Sequence, residues 1–374
     1  MQLTRIKVEG YKSFKSLDVE MRPLNVLIGA NGAGKSNFLS LFHLLHEMSE
    51  GRFQKSIVVG GGADTFLHYG QNVTSEITVT LNSDQENQRF FCKWIPSATG
   101  SLIFNQESIA GLSYSKESLE SPFFEYCDGK SFIGYSSFAS SPQAMIQMTE
   151  NAAGFFRFLQ NTRFYHLNDT GKSAPFKKQG GINDDFYLRS DGENLAAYLF
   201  KIKHKYPKKY EFIRKTIRLV APYFDDFVLR PMPLNENYIR LEWREQNSDY
   251  PFGFWQLPDG LIRFMCLATL LMLPKEELPS LILIDEPELS LHPSAINILA
   301  SLIRLASANT QIVIATQSVA MVDQFEPEEL LVVERRNGAT VIERQDPERL
   351  QGWLERYSLG ELWEKNVLGG RPSR

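Results

Sequence analysis

Eight residues constrain this chain more than any others: Gly29-Ala30-Asn31-Gly32-Ala33-Gly34-Lys35-Ser36. They follow the apolar run Leu24 to Ile28, which reads as a strand, and precede a stretch from Lys35 to about Glu47 with helical periodicity. A strand that turns through glycines into a helix aims successive backbone N–H groups at one point, and the helix N-terminus adds partial positive charge there. Such a point binds phosphate. The spacing makes Gly29, Asn31, Gly32, Ala33 and Gly34 the cradle, with Asn37 beyond it in the binding set. Lys35 reaches the β- and γ-phosphates and Ser36 offers a hydroxyl to Mg²⁺, so ATP and Mg²⁺ are the expected ligands. A bare glycine turn is the competing reading. Gly171-Lys172-Ser173 shares the ending, but His166 stands where the first glycine belongs and the surroundings are polar, so it reads as loop.

A second motif complements the first. Leu281-Ile282-Leu283-Ile284-Asp285-Glu286 is an apolar strand that ends in two acids. A buried parallel strand delivers its last residues to the ligand edge of a sheet. There Asp285 can hold the Mg²⁺ shell while Glu286 polarises an attacking water. Alone, the pair also reads as a strand ending in solvated acids; beside a phosphate loop the functional reading is the better one.

At 374 residues the chain exceeds what one core usually organises, so two lobes or a core with a large insertion are expected. Strands are predicted at Leu3 to Val8, in an antiparallel side sheet between about Ser75 and Phe104, and in parallel units at Leu281 to Ile284 and Gln311 to Ala315. A hairpin turning at Asn337-Gly338 follows. The pattern from about Pro142 to Phe224 is mostly helical, broken by a polar linker from Asn168 to Asn183. We expect an ATPase lobe at 1–140, a mostly helical insertion at 141–255 and a second ATPase lobe at 256–374. The apolar stretch around Phe264 to Leu273 is too short to cross a bilayer and the N-terminus lacks a secretory core, so no membrane partner is expected and the cytoplasm is the default. Cys92, Cys127 and Cys266 form neither a disulfide framework nor a zinc-ligand spacing, and no acid or cysteine is spaced to make a metal site with His43 and His46.

A net charge of −4 argues against a uniformly basic nucleic-acid binder, so any DNA or RNA contact must be local. The candidate patch spans 201–218: Lys201, Lys203, Lys205, Lys208, Lys209, Arg214, Lys215 and Arg218, with one acid, Glu211. Tyr206 and Tyr210 lie among these charges, placed either to stack on bases or to pack. A solvated helical face is the competing reading.

Further residues narrow the class. Asp285-Glu286-Pro287-Glu288 running into Leu291-His292-Pro293, with Leu257-Pro258-Asp259-Gly260-Leu261-Ile262-Arg263-Phe264 upstream and Ala315-Thr316-Gln317-Ser318 downstream, resembles the ABC-type ATPases of the RecF/SMC-like group. It is most similar to the stand-alone bacterial AAA-family ATPases related to the ATPase half of OLD-family nucleases. The resemblance extends from Gly10-Tyr11-Lys12-Ser13-Phe14 through Phe164-Tyr165-His166-Leu167 to Leu359-Gly360-Glu361-Leu362-Trp363 and Gly369-Gly370-Arg371-Pro372.

The resemblance implies an α/β fold, an ABC-type P-loop ATPase head with a mixed central sheet, an antiparallel side sheet and an inserted helical lobe. It also implies that two heads close on two ATP molecules, giving a homodimer or higher oligomer through the nucleotide faces. Asp259 and Gly260 would then face the γ-phosphate bound by the opposite subunit. The family serine before them is Pro258 here, which offers neither hydroxyl nor N–H, so that contact would fall to the backbone N–H groups of Asp259 and Gly260. Gln317 occupies the position that is histidine in many ABC transporters; it can donate to a γ-phosphate oxygen but cannot carry a proton, so catalysis leans on Glu286. Ser318 also fits a helix cap. His166 and Asp169 fall on the loop that couples nucleotide to the helical lobe in such heads, though a histidine in a strand is more often structural. His292 is expected at the subunit interface.

The leading expectation is an ATP hydrolase that dimerises on ATP and controls a DNA-related event such as repair or phage defence, with Glu286, Lys35 and Gln317 catalytic. The rival is a nucleotide-gated scaffold or sensor of an effector complex, which Pro258 favours. Only about 90 residues follow Glu286, most of them needed by the core, so nuclease activity in cis is not expected and, if the chain takes part in cleavage, a separate effector or nuclease chain would supply it.

Overall fold

The computed structural model describes residues 1–85, 89–109, 112–115, 150–167 and 179–370. Cys127, Asp169, Gly171-Lys172-Ser173, Arg371 and Pro372 lie outside the described residues, as does most of the polar linker. The chain forms two compact units: residues 1–163 with 326–374, and residues 164–325.

The first unit begins with β1 (Leu3–Tyr11), β2 (Phe14–Glu20) and β3 (Leu24–Ile28), followed by α1 (Lys35–Ser49), α2 (Phe53–Val59) and α3 (Ala63–Phe66). Strands β4 (Ile77–Ser83), β5 (Arg89–Pro96), β6 (Leu102–Ile109) and β7 (Leu112–Ser115) come next, then α4 (Glu150–Gln160) and β8 (Thr162–Tyr165), within which the first unit ends at Arg163. Alternation explains the side sheet. In β1, Ile6 and Val8 are buried while Arg5, Lys7 and Glu9 face solvent, and their partners across the antiparallel ladder are Leu81 and Val79 of β4. The sheet continues in the order β2-β1-β4-β5-β6-β7, each pair antiparallel.

The second unit carries β9 (Gly180–Gly181), α5 (Leu195–Lys205) and α6 (Pro207–Val220), then five short strands: β10 (Phe224–Val228), β11 (Pro231–Met232), β12 (Asn235–Ile239), β13 (Glu242–Glu245) and β14 (Phe252–Gly253). The helical pattern thus stops at Val220, and the strands form two three-stranded sheets, β10-β13-β14 and β11-β12-β9. Helix α7 (Asp259–Leu271), β15 (Leu281–Asp285), α8 (Pro293–Ser307), β16 (Gln311–Thr316) and α9 (Val319–Val322) complete it. β15 and β16 pair in parallel, and every residue from Leu281 to Ile284 and from Gln311 to Thr316 is buried. Both strands read as continuous apolar runs because both of their faces are covered.

The chain then returns to the first unit with β17 (Leu330–Arg336), β18 (Ala339–Arg344), α10 (Pro347–Leu354) and α11 (Leu359–Glu364). β17 lies parallel to β3 and antiparallel to β18, so this sheet is mixed. The β17–β18 hairpin turns at Asn337 and Gly338, both with positive φ (51° and 82°), as a tight type I′ turn demands. Among the described residues no helix is long and apolar enough to cross a membrane.

Candidate nucleotide site

In the first unit, β3 is buried along its whole length and delivers the chain to Gly29. The loop is held from both sides of the sequence. Ala30 N–H donates to the Gly370 carbonyl at 2.9 Å, and the Thr340 hydroxyl of β18 donates to the Ala33 carbonyl at 2.6 Å. Gly34 sits at φ 120°, and a Cβ there would be driven into the Thr340 side chain, so both backbone and space require glycine. Gly34 is also the N-cap of α1, and no side chain caps that helix or places an acid in its first turn. The first amides of α1 are therefore left to backbone and ligand.

Lys35 is 6% exposed, and its ammonium donates to the Gly29 carbonyl at 2.6 Å and the Ala30 carbonyl at 3.1 Å. A buried ammonium held on carbonyls is poised to exchange them for phosphate oxygens, which carry full charge. Asn31, Gly32 and Ser36 are exposed on the same loop. The Asn37 amide donates to Ser13 Oγ at 2.8 Å, tying α1 to the turn between β1 and β2.

Beside the loop lies a cleft of about 430 Å³ whose lining includes Lys12, Ser13, Asn37, His68, Tyr69 and Arg335. Burial lowers the affinity of the Lys12 ammonium for its proton; its Nζ donates to Ser40 Oγ at 3.0 Å. Tyr69 donates to the Gly338 carbonyl at 3.0 Å and accepts from Arg335 at 3.3 Å. Sequence reasoning quoted Lys12 and Ser13 without a role and missed His68, Tyr69 and Arg335, which come together only through the fold.

The second unit holds the acids. Asp285 ends β15 with 14% side-chain exposure, and His166 Nδ1 lies 3.6 Å from its Oδ2. Glu286 takes φ 48°, an uncommon left-handed conformation for a residue with a side chain, while its N–H donates to the Ala315 carbonyl at 2.8 Å. The Gln317 amide donates to Glu286 Oε1 at 2.7 Å. Two residues later, Glu288 accepts from the Thr316 hydroxyl at 2.6 Å. Burial, assisted by the nearby Glu286 charge, raises the Glu288 carboxyl above its ordinary pKa, against the hydrogen bonds from Thr316 and Gln317.

Asp259 and Gly260 open α7 behind Pro258, its N-cap, again with no capping side chain. A Cβ on Gly260 would collide with the Ser290 carbonyl, so α7 starts in close contact with the turn after β15. Arg263 extends that contact by donating to the Leu289 carbonyl at 2.9 Å; burial lowers its pKa, and the charges of Asp259 and Glu286 oppose that. His292 caps α8, accepting from Ser294 N–H at 3.3 Å, and Ser318 caps α9, accepting from Met321 N–H at 3.3 Å. The structure thus brings Glu286, Gln317, Asp285, Asp259 and Gly260 together within one unit, and sets the phosphate loop within the other. His166, the residue after β8, lies beside the first set.

Most of the basic run at 201–218 is spent internally. Lys201 and Lys205 pair with Glu277 at 2.7 and 3.0 Å, Lys203 with Asp226 at 3.4 Å, and Arg218 with Asp225 at 2.5 Å. Arg214 and Lys215 share Glu211 at 2.8 and 3.7 Å. Tyr206 and Tyr210 donate to Glu277 and Asp226 at 3.1 and 2.7 Å, so both phenols pack against acids. Lys208 and Lys209 are exposed and have no acidic partner among the described residues. His46 Nδ1 bonds the Leu159 carbonyl at 3.0 Å, and burial lowers its pKa.

A family profile described as AAA domain, putative AbiEii toxin, Type IV TA system matches residues 24–91 and 117–323. The chain belongs to that AAA family. This AAA-family chain is also similar to the Old nuclease of Escherichia phage P2, at 24% identity over 94% of the chain, and spans 62% of that nuclease's length. A shorter match, 29% identity over 23% of the chain and 25% of the relative, is to the DNA replication and repair protein RecF of Cronobacter sakazakii (strain ATCC BAA-894). Its fold is that of SMC heads. An SmcHead bound to the C-winged helix domain of ScpA superposes with TM-score 0.60, 14% identity, 94% coverage of this chain and 100% of the other. The Smc head with an extended coiled coil bound to the C-terminal domain of ScpA, from Pyrococcus furiosus, gives TM-score 0.56 and 14% identity, covering 95% and 98%. The AAA-family chain is therefore a RecF/SMC-like ABC-type ATPase related to OLD proteins, with the expected α/β head fold.

Proposed function

We propose that this AAA-family chain binds ATP with Mg²⁺ and hydrolyses it, using the cycle to control a DNA-related process. The observation that carries the reading is the 2.7 Å hydrogen bond from the Gln317 amide to Glu286 at the end of a buried parallel strand. A carboxylate anchored there can accept a proton from water while an adjacent amide holds the water or a γ-phosphate oxygen. The loop amides from Asn31 to Ser36 and the Lys35 ammonium bind the phosphates, and Asn37 supports the loop through Ser13. Ser36 in the first unit and Asp285 in the second are each proposed as Mg²⁺ ligands; the ion, when bound, offsets charge on the phosphate oxygens. The cleft with Lys12, Tyr69 and Arg335 takes the nucleoside.

Asp259 and Gly260 offer backbone amides at an uncapped helix start, supporting a γ-phosphate contact from a second copy of the chain in a homodimer or higher oligomer. Pro258 at the N-cap favours the second reading, a nucleotide-gated scaffold for an effector in which hydrolysis is slow. The kinship with Old nuclease and the repair protein RecF supports a DNA-related role; we extend this reading to repair or phage defence, with a partner chain as effector or nuclease. Lys208 and Lys209 are the patch residues left for nucleic acid.

The test is phosphate release and nucleotide binding with Lys35→Ala and Glu286→Gln. Lys35→Ala should lose both; Glu286→Gln should keep ATP affinity and lose turnover by about 10²–10³-fold. Wild-type phosphate release from Glu286→Gln would sink the catalytic assignment, and turnover near background with intact ATP-dependent assembly would move the chain to the scaffold reading.

A further inference from the structure

Two acids of the turn after β15 engage Thr316, the last residue of β16, and Gln317, which follows it. Gln317 Nε2 donates to Glu286 Oε1, and Thr316 Oγ1 donates to Glu288 Oε1 at 2.6 Å, an oxygen that Gln317 N–H also approaches at 3.4 Å. The Thr316 oxygen accepts from Ser318 N–H at 3.0 Å. The turn itself is closed by Leu289 N–H to the Glu286 carbonyl at 3.2 Å and Leu291 N–H to the Glu288 carbonyl at 2.9 Å. Glu286 holds a left-handed backbone conformation within this frame, of the kind that persists only where its surroundings over-determine it. Glu288 Oε2 is buried with no hydrogen-bond partner among the described residues. A carboxyl half-satisfied in this way costs free energy at a site where a solvated loop side chain would not.

The geometry points to Glu288 as a positioning residue for hydrolysis: by holding the Thr316 hydroxyl and the Gln317 main chain, it sets the Gln317 amide against Glu286 and fixes the carboxylate that activates water. This rests on the reading of Glu286 given above. Glu288 acts through Thr316 and Gln317 and is assigned no contact with nucleotide. Because the role is to accept a hydrogen bond, glutamine at 288 should serve and alanine should not.

The experiment compares Glu288→Ala, Glu288→Gln, Thr316→Val and Thr316→Ser for kcat, KM and affinity for a fluorescent ATP analogue, with thermal melting to confirm folding. Glu288→Ala and Thr316→Val should each lower kcat about 10- to 100-fold, as small misplacements of catalytic groups do, with KM and analogue affinity within about twofold of the unsubstituted chain. Glu288→Gln and Thr316→Ser should restore kcat to within about threefold, and the Ala/Val double variant should be no slower than the slower single one, since both remove one interaction. Unchanged kcat in both Glu288→Ala and Thr316→Val overturns the inference, as does a Glu288→Gln protein as slow as Glu288→Ala or a parallel loss of affinity. If Glu288→Ala does not fold, the near-isosteric Thr316→Val protein decides. An unsubstituted chain without turnover would sink the hydrolase reading and this inference with it; a turning-over chain indifferent to both substitutions sinks the inference alone.

Discussion

In the proposed function the phosphate loop and the acid cluster answer different needs by different means. Gly29 to Ser36 works through backbone: its amides, its uncapped helix start and one buried ammonium resting on carbonyls. The cluster of Glu286, Glu288, Thr316 and Gln317 works through side chains that reach across two turns, where one oxygen of each carboxyl group is held by a named donor. Binding a polyanion needs many converging dipoles, which main chain supplies at fixed spacing. Activating one water needs one carboxylate in one place, which only a supported side chain supplies.

The contrast breaks most sharply at Gly34. Alanine there must adopt φ near 120° and push into Thr340, whose hydroxyl holds the Ala33 carbonyl. Gly34→Ala should weaken ATP binding by about 10²-fold, roughly 2.7 kcal/mol, measured by calorimetric titration. Removing the obstacle in Gly34→Ala with Thr340→Ala should recover only part of that, because the backbone strain remains. Normal binding by the single variant would mean that the loop is not a backbone device.

At Gly260 the acid cluster depends on main-chain closeness. A methyl group there meets the Ser290 carbonyl, which cannot move without shifting the turn that carries Glu286 and Glu288. Gly260→Ala should cost about 1–3 kcal/mol of stability, in the range of overpacked sites, and slow phosphate release while ATP affinity at the loop holds. Equal losses in affinity and turnover would blur the division between the two regions.

The same division explains what the sequence disclosed. The loop was legible because its signal is local: glycines at fixed spacing between an apolar run and a helical pattern, and the parallel strands β15 and β16 announced themselves as unbroken apolar runs. The hairpin at Asn337-Gly338 was legible for the same reason. The bond from Thr316 to Glu288 and the approach of His166 to Asp285 were not, since they join residues 28 and 119 positions apart and no local pattern encodes them. The strands from Phe224 to Gly253 were hidden because they are two residues long or, as in Phe224–Val228 and Asn235–Ile239, interrupted by polar residues where β15 is unbroken. The run at 201–218 misled in the opposite direction: its positive charge is plain in the sequence, but Glu277, Asp225 and Asp226, which neutralise much of it, lie outside the run.

The smallest expected effect tests whether the acid cluster is held at a cost. Burial raises the Glu288 carboxyl pKa above its ordinary value, so the folded chain holds that proton more tightly than the unfolded chain does. The sign follows from linkage: the contribution is fully present below the unfolded pKa and is lost as pH rises through the folded one. Glutamine at 288 does not titrate, so Glu288→Gln should melt at nearly the same temperature as the unsubstituted chain near pH 4 and gain on it as pH rises toward 8, by about one to three degrees. The groups bearing on this carboxyl are Thr316, its own backbone N–H and the Gln317 N–H, which lower its pKa, and Glu286, which raises it. A gap that stays flat from pH 4 to 8 would mean that Glu288 ionises freely in the folded chain; the cluster would then be as inexpensive to hold as the phosphate loop, and the difference between the two regions would rest on geometry alone.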